Sequence, residues 1–377
     1  MHTTPTPRIT RRGLLAGAGA GAGALALGLS VPHAQAAPVS LPQANIDQLF
    51  DDFLARHAVD HFNRPFTRAI DPTQYECTPD DAVDVWMTAQ MARLSEQDRQ
   101  VIQEAGLDIL PAVDAMLTTD VTGASYALTR HAHDLRKTFT KCQRFWDIDG
   151  SDITLMAMST DIYTDVERMV RAYTELGLDA ATSRELAEFV KSYVPSSKGL
   201  EGGHFPLLSF NAFAYSTFGQ QPQIVDRIVM GEGLLRAYDE LGFGDVAPQV
   251  VLAHEYAHHV QMEIGMITPD TMASSTPEGT RRTELHADAS AAYFASHPKG
   301  LSMQTKRILA FGKVFYGIGD CQFASTGHHG TPKQRHAAAM WGVQVQESTR
   351  PKSRIRPTRV LRDEFDAKLP ELIAPDA

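Results

Sequence analysis

The sequence predicts an α+β protein that is mainly helical and carries a small sheet. Apolar residues recur at helical spacing through most of residues 43–197. Two short segments rich in apolar and β-branched residues follow, 206–215 and 224–230. Two long helical segments come next, one largely apolar (250–262) and one rich in alanine (277–297). With 377 residues, 43% of them hydrophobic, the chain can bury a full core around these elements.

The N-terminus has the pattern of an export signal that is removed from the mature protein. A twin arginine, Arg11-Arg12, precedes an uncharged Ala/Gly/Leu stretch at residues 14–29. A small-x-small cleavage pattern ends at Ala36. Residues 1–36 are therefore typical of a bacterial twin-arginine signal peptide and predict a secreted, extracellular protein. No later segment is long and apolar enough to span a bilayer, so we expect no stable membrane span after signal removal.

The charge of the chain argues against one class of partner. Its formal net charge is -10 at pH 7. A general nucleic-acid binder normally presents a basic face or stripe, so we expect no nucleic-acid partner.

The cysteines do not predict a metal site, because none has C-x-x-C spacing. Cys77, Cys142 and Cys321 cannot all pair within one chain. One disulfide, such as Cys77 with Cys142, and buried free thiols are both compatible with the sequence.

Residues 41–200 predict a helical N-terminal region. We expect its helices at residues 80–94, 95–117, 165–176 and 184–194, the last with Ser183 as N-cap. Its scattered histidines are interpreted as structural or surface residues: His57, His61, His131 and His133.

A shift to Pro, Ser and Gly around residues 195–203 marks the boundary to a core at residues 201–345. In this core the two predicted strands precede a short helix at 234–241. Residues 346–377 form a C-terminal tail, which ends in an amphipathic helix at 360–372.

The largely apolar helix at 250–262 carries an H-E-x-x-H pattern. Asp245 is its predicted cap, and Gly265 is its predicted stop. His254 and His258 are four residues apart, so both imidazoles project from one face of the helix and can bind one tetrahedral ion. Glu255 lies beside that face, where it can reach water on the metal rather than the metal itself.

The alanine-rich helix offers the third ligand that a catalytic zinc site needs. Glu284 and Asp288 are also four residues apart and share one face. We therefore predict Glu284 as the third ligand and Asp288 as a hydrogen-bond acceptor that orients a ligand histidine. His286 is the competing third ligand. His259 directly follows His258 and projects from a different face of the helix. It is interpreted as a packing residue or as a residue that supports the ligands.

These motifs resemble those of the gluzincin metallopeptidases, and most of all the bacterial neutral zinc metallopeptidases. The matching segments are His254-Glu255-Tyr256-Ala257-His258-His259-Val260-Gln261 and Glu284-Leu285-His286-Ala287-Asp288. Asn211-Ala212-Phe213-Ala214 is similar to a strand of membrane-associated zinc endopeptidases, and residues 329–335 are similar to an H-G-[ST]-x-x-Q-R segment of such enzymes. The resemblance spans about residues 207–341. It implies a zincin-like core, a Zn²⁺ cofactor, and zinc bound by His254, His258 and Glu284.

The expected chemistry is peptide hydrolysis by a water molecule that the zinc activates, with Glu255 as general base. A further group should stabilise the negative charge of the tetrahedral intermediate. His328 and His329 are the first predictions for that donor, followed by Arg335 and Tyr293. Arg335 has an alternative role, in which it ties its own segment to an acidic residue of a site helix.

The sequence therefore predicts a secreted zinc metallopeptidase that acts on a peptide or protein substrate. An extended peptide would pair with one of the strands between residues 206 and 230. Two other functions stay open. One is a catalytically inactive interaction protein in which zinc staples two helices together. The other is a zinc hydrolase of a non-peptide amide.

Overall fold

Helices dominate the structure, which is a computed structural model. It describes residues 45–57, 82–273, 276–315 and 330–374. These belong to one compact unit, Leu41–Ala377. In the described residues the α-helices are α1 (Ile46–Arg56), α2 (Ala82–Met91), α3 (Glu96–Ala105), α4 (Leu110–Leu117), α5 (Ala132–Phe145), α6 (Val166–Leu176), α7 (Ala180–Tyr193), α8 (Glu232–Glu240), α9 (Ala247–Glu263), α10 (Pro269–Ala273), α11 (Pro277–Ser296), α12 (Thr305–Phe315), α13 (Pro332–Ser348) and α14 (Thr358–Leu372).

The sheet has three strands: β1 (Thr154–Met158), β2 (Ala212–Tyr215) and β3 (Arg227–Gly231). Their order is β1-β3-β2, with β1 parallel and β2 antiparallel to β3. Every residue of the central strand β3 is buried. The prediction of a mainly helical α+β protein with a small sheet is confirmed.

Several signals and residues lie outside the described part of the chain. They are the signal peptide at 1–36, His61, Cys77, Cys321, His328 and His329. Cys142 is described, and it is a buried free thiol. Among the described residues, no helix has both the length and the apolar character that crossing a membrane requires.

The prediction of one helix over residues 95–117 is wrong. A capping box formed by Ser95 and Asp98 starts α3, but Gly106 ends it in the left-handed conformation, with φ of 61°. Glycine adopts this conformation at little cost because it has no Cβ. The chain then restarts as α4, with Pro111 in its first turn.

The helix α7 begins one turn earlier than predicted. Asp179 is its N-cap and accepts hydrogen bonds from the N–H groups of Ala181 and Thr182. Ser183, the predicted cap, is buried inside the helix. Asp and Ser are similarly good caps, and Asp179 is the one that stands where the helix starts.

The strand predictions also needed correction. The first half of the chain contributes β1, which its helical pattern did not indicate. Of the predicted strand at 206–215, Pro206–Ser209 is a 3₁₀ turn, and the last four residues form β2. This turn packs tightly on the start of α8, where a Cβ on Gly233 would lie 1.8 Å from the Pro206 carbonyl oxygen.

The two helices that carry the motifs pack directly against each other. The helix α9 is buried over most of its length, and α11 lies against it on one side and against α13 on the other. Asp245 does not cap α9; Val246 occupies the N-cap position, and the Asp245 carboxylate accepts a hydrogen bond from Arg307 Nε at 3.0 Å. The helix α11 spans Pro277–Ser296, within one residue of the prediction, with Thr276 as its N-cap and His297 as its C-cap.

Candidate metal centre

Three side chains from α9 and α11 converge in the interior of the protein. His254 and His258 lie on α9, Glu284 lies on α11, and one ligand atom from each falls within 4.8 Å of the others. The two Nε2 atoms are 3.1 Å apart. The Glu284 carboxylate lies 3.4 Å from His254 Nε2 and 3.2 Å from His258 Nε2. All three side chains are buried.

A buried ion pair orients His254. Its Nδ1 atom lies 2.9 Å from Asp288 Oδ1, one turn after Glu284 on the same face of α11. Arg335, near the start of α13, donates two hydrogen bonds of 2.8 Å to the Asp288 carboxylate. Its guanidinium also lies 3.8 Å from Glu284. The predicted contacts of Asp288 with a ligand histidine, and of Arg335 with an acidic residue of a site helix, are therefore present.

The second histidine is oriented by a neutral side chain. The Nδ1 atom of His258 lies 2.9 Å from Gln261 Oε1, one turn further along α9. Gln261 belongs to the motif segment at 254–261, but the sequence pattern did not predict its role. Its position three residues after His258, on the same helix face, is the signal that could have identified it.

The donor set fits a divalent cation. When Nδ1 of each ring donates a hydrogen bond, the neutral ring has its lone pair on Nε2. Two such lone pairs and a carboxylate then face one point, and this is a donor set that binds a metal ion. Without a metal, a proton on His254 can balance the negative charge of the nearby carboxylates. Burial by itself would lower the pKa of His254, but Asp288 and Glu284 outweigh it and raise that pKa to about 10.

Glu255 lies in the same buried region as the ligands. It follows His254 on α9 and is 7% exposed. Among the described residues, its carboxylate makes no hydrogen bond or ion pair. A nearly buried carboxylate without a protein partner is free to bind water.

The structure keeps His286 away from the cluster. Its Nδ1 atom lies 3.0 Å from Gln261 Nε2, and its ring packs on Phe365 of α14. Burial lowers the pKa of His286 to about 3, so the ring is neutral near pH 7. Of the two alternatives for the third ligand, the geometry favours Glu284.

Two other predicted residues face away from the ligands. His259 Nε2 lies 2.9 Å from the Arg227 carbonyl oxygen on β3, in line with its interpretation as a packing residue. Tyr293 lies five residues beyond Asp288 on a different face of α11, where its hydroxyl accepts a hydrogen bond from the N–H of Arg356 at 2.8 Å. Tyr293 is therefore not placed to stabilise charge at the cluster.

Comparisons with protein-family models, with curated proteins and with solved structures found no match for this chain.

Proposed function

We propose that this protein is a zinc-dependent metallopeptidase with a zincin-like core. The observation that supports it most is the buried cluster of His254, His258 and Glu284, with Glu255 adjacent to the first ligand on the same helix. A ligand set of two histidines and one glutamate, which leaves a coordination position open, is typical of catalytic zinc rather than of structural zinc.

When bound, zinc supplies a Lewis acid that activates water and polarises the substrate carbonyl. The side chains of the protein have separate tasks. Asp288 and Gln261 hold the two imidazoles in place through their Nδ1 atoms. The Glu255 carboxylate accepts a proton from the attacking water and then passes it to the leaving amine. The role of His328 and His329 as donors to the developing negative charge stays a prediction.

The sheet offers a place for an extended substrate. The Gly231 N–H donates to the Asn211 carbonyl at 2.9 Å, so alternate residues of β2 pair with β3. Ala212 and Ala214, which lie between these pairs, direct their backbone groups to the other side of β2, where the Ala212 N–H donates to Asn211 Oδ1 at 2.9 Å. In the described part of the chain no strand pairs with that side, and β2 packs against α9. A peptide that adds a strand there lies along the site helix.

Two alternatives differ from this proposal in testable ways. A zinc-stapled interaction protein would bind zinc but hydrolyse nothing, and it would leave Glu255 without a task. A hydrolase of a non-peptide amide would use the same residues on another carbonyl compound. Among the described residues, no strand covers this edge of β2, and this favours a peptide over a small amide.

The decisive experiment compares the purified mature protein with Glu255→Gln. We expect one zinc per chain in both, and cleavage of a broad protein digest by the wild type alone, because glutamine cannot accept the proton. Glu263→Gln is the matched control, since Glu263 lies on the same helix but is exposed. Undiminished cleavage by Glu255→Gln with zinc bound would contradict the mechanism. Zinc binding without any cleavage by the wild type would favour the interaction protein.

We also propose that the protein is exported through its twin-arginine signal. The support is the Arg11-Arg12 pair and the small-x-small pattern that ends at Ala36. N-terminal sequencing of the protein from the culture medium should find Ala37 first. Retention of the uncleaved chain inside the cells would contradict export.

A further inference from the structure

We propose that Gln261 selects the tautomer of His258 and thereby positions it as a metal ligand. In this arrangement Thr283 and His286 of α11 hold the Gln261 carboxamide in one orientation. The inference rests on the metal site of the proposed function, but it does not depend on peptide hydrolysis.

The orientation of the carboxamide follows from a backbone group. Gln261 Nε2 lies 2.6 Å from the carbonyl oxygen of Thr283. A carbonyl oxygen can only accept a hydrogen bond, so the atom of the carboxamide that faces it must be the nitrogen. The oxygen, Oε1, then faces His258 Nδ1 at 2.9 Å. Gln261 is fully buried, so these contacts are shielded from bulk water.

The carboxamide in turn determines which His258 nitrogen carries the proton. Because Oε1 can only accept, His258 Nδ1 must donate, and the neutral ring keeps its lone pair on Nε2. That Nε2 atom faces His254 Nε2 at 3.1 Å and Glu284 at 3.2 Å. The tautomer that binds metal is therefore selected before any metal arrives.

His286 completes the arrangement from the second helix. Its Nδ1 atom accepts the other Nε2–H of Gln261 at 3.0 Å, so both amide protons have acceptors on α11. The His286 ring is buried and meets Phe365 edge-to-face, with 5.2 Å between ring centroids. Packing thus keeps the His286 imidazole in the position from which it can accept.

The two ligand histidines are held by chemically different partners. His254 has an ionised partner, Asp288, whose charge Arg335 balances. His258 has a neutral partner in Gln261. Gln261 therefore orients a ligand without adding charge to the site.

The test is metal affinity, measured by competition with a chromophoric chelator. Gln261→Met keeps the length of the side chain but can neither donate nor accept these hydrogen bonds. We expect it to weaken Zn²⁺ and Co²⁺ binding by about 10- to 100-fold, as losses of outer-shell partners do. The visible spectrum of the Co²⁺-loaded variant should also change, because His258 is no longer fixed in orientation. Gln346→Met, at a buried glutamine of α13, is the control and should match the wild type.

A second measurement on the wild type does not depend on the folding of a variant. In zinc-loaded protein labelled with ¹⁵N-histidine, His258 should show an Nδ1 proton that exchanges slowly with water. Binding of zinc through Nδ1, or fast exchange of that proton, would overturn the inference. So would a folded Gln261→Met protein with wild-type affinity and spectrum, and this result would leave the proposed function intact. A wild type that binds no metal would overturn both.

Discussion

Arg335 and Asp288 show how much of the site depends on individual side chains away from the ligands. Their ion pair is almost completely buried, with side-chain exposures of 4% and 0%. A buried ion pair need not add net stability, but removal of one partner leaves the other charge without compensation. Asp288 also contacts His254. If Asp288 lost Arg335 as a partner, the position of the His254 ligand would therefore be affected too.

We predict that Arg335→Met lowers the free energy of unfolding of the metal-free protein by about 3–5 kcal/mol. Denaturant unfolding in the presence of a chelator measures this, since bound metal would stabilise the folded state separately. The matched control is Arg282→Met, which breaks a bidentate pair with Asp366 that is about one third exposed. Loss of this partly exposed pair should lower the free energy of unfolding by no more than about 1 kcal/mol. Equal effects of the two variants would contradict the importance of burial.

At the scale of single elements, helix ends account for most differences between the predicted and the observed boundaries. Gly106 separates α3 from α4, and a Cβ at this position would lie 2.6 Å from Ile46 Cγ2 on α1. The glycine is therefore required both by its left-handed conformation and by the close approach of another helix. Apolar periodicity continues across the break, and for this reason the pattern predicted a single helix.

The start of α3 predicts a pH dependence of stability. The Asp98 carboxylate accepts hydrogen bonds from Ser95, Tyr193 and Ser197. Burial would raise the pKa of Asp98, but the hydrogen bonds from Ser197, Ser95 and Tyr193 outweigh it and lower that pKa. A carboxyl group with a lowered pKa stabilises the fold above its unfolded-state value of about 3.9, and this stabilisation is lost as the pH falls through its folded-state value.

Asp98→Asn should therefore destabilise the protein at pH 7, and the difference from the wild type should shrink as the pH falls below about 4. Denaturant unfolding curves at a series of pH values measure both effects. Asp134→Asn is the control, because Asp134 is an exposed residue in the first turn of α5. If the difference in the free energy of unfolding between Asp98→Asn and the wild type stayed constant with pH, the lowered pKa of Asp98 would be refuted.

At the scale of the whole molecule, the site depends on how closely α11 and α13 approach each other. Gly342 of α13 faces the backbone of α11, where a Cβ would lie only 2.0 Å from the Ala289 carbonyl oxygen. Ala289 follows Asp288, the partner of Arg335. The spacing of these two helices therefore controls whether the Arg335–Asp288 pair can form.

We predict that Gly342→Ala destabilises the protein by about 1–3 kcal/mol, although alanine is normally the better helix former. The midpoint temperature of thermal unfolding and the zinc affinity should both decrease, because the added methyl group pushes α13 away from α11. Gly279→Ala in the first turn of α11 is the control, since its new Cβ would meet only Thr276 Oγ1 at 3.3 Å. A stabilising effect of Gly342→Ala would show that the helices can separate without cost.

The sequence by itself determined the features that depend on neighbours along one helix. The four-residue spacing places His254 with His258 and Glu284 with Asp288, because residues one turn apart share a helix face. Only the tertiary structure decided which residues meet between elements. The pairing of β1 with β3, the choice of Asp288 as the acidic partner of Arg335, the contacts of Gln261 with α11, and the exclusion of His286 from the cluster depend on contacts between distant segments. Such contacts follow from how the elements pack, and local periodicity contains no information about that packing.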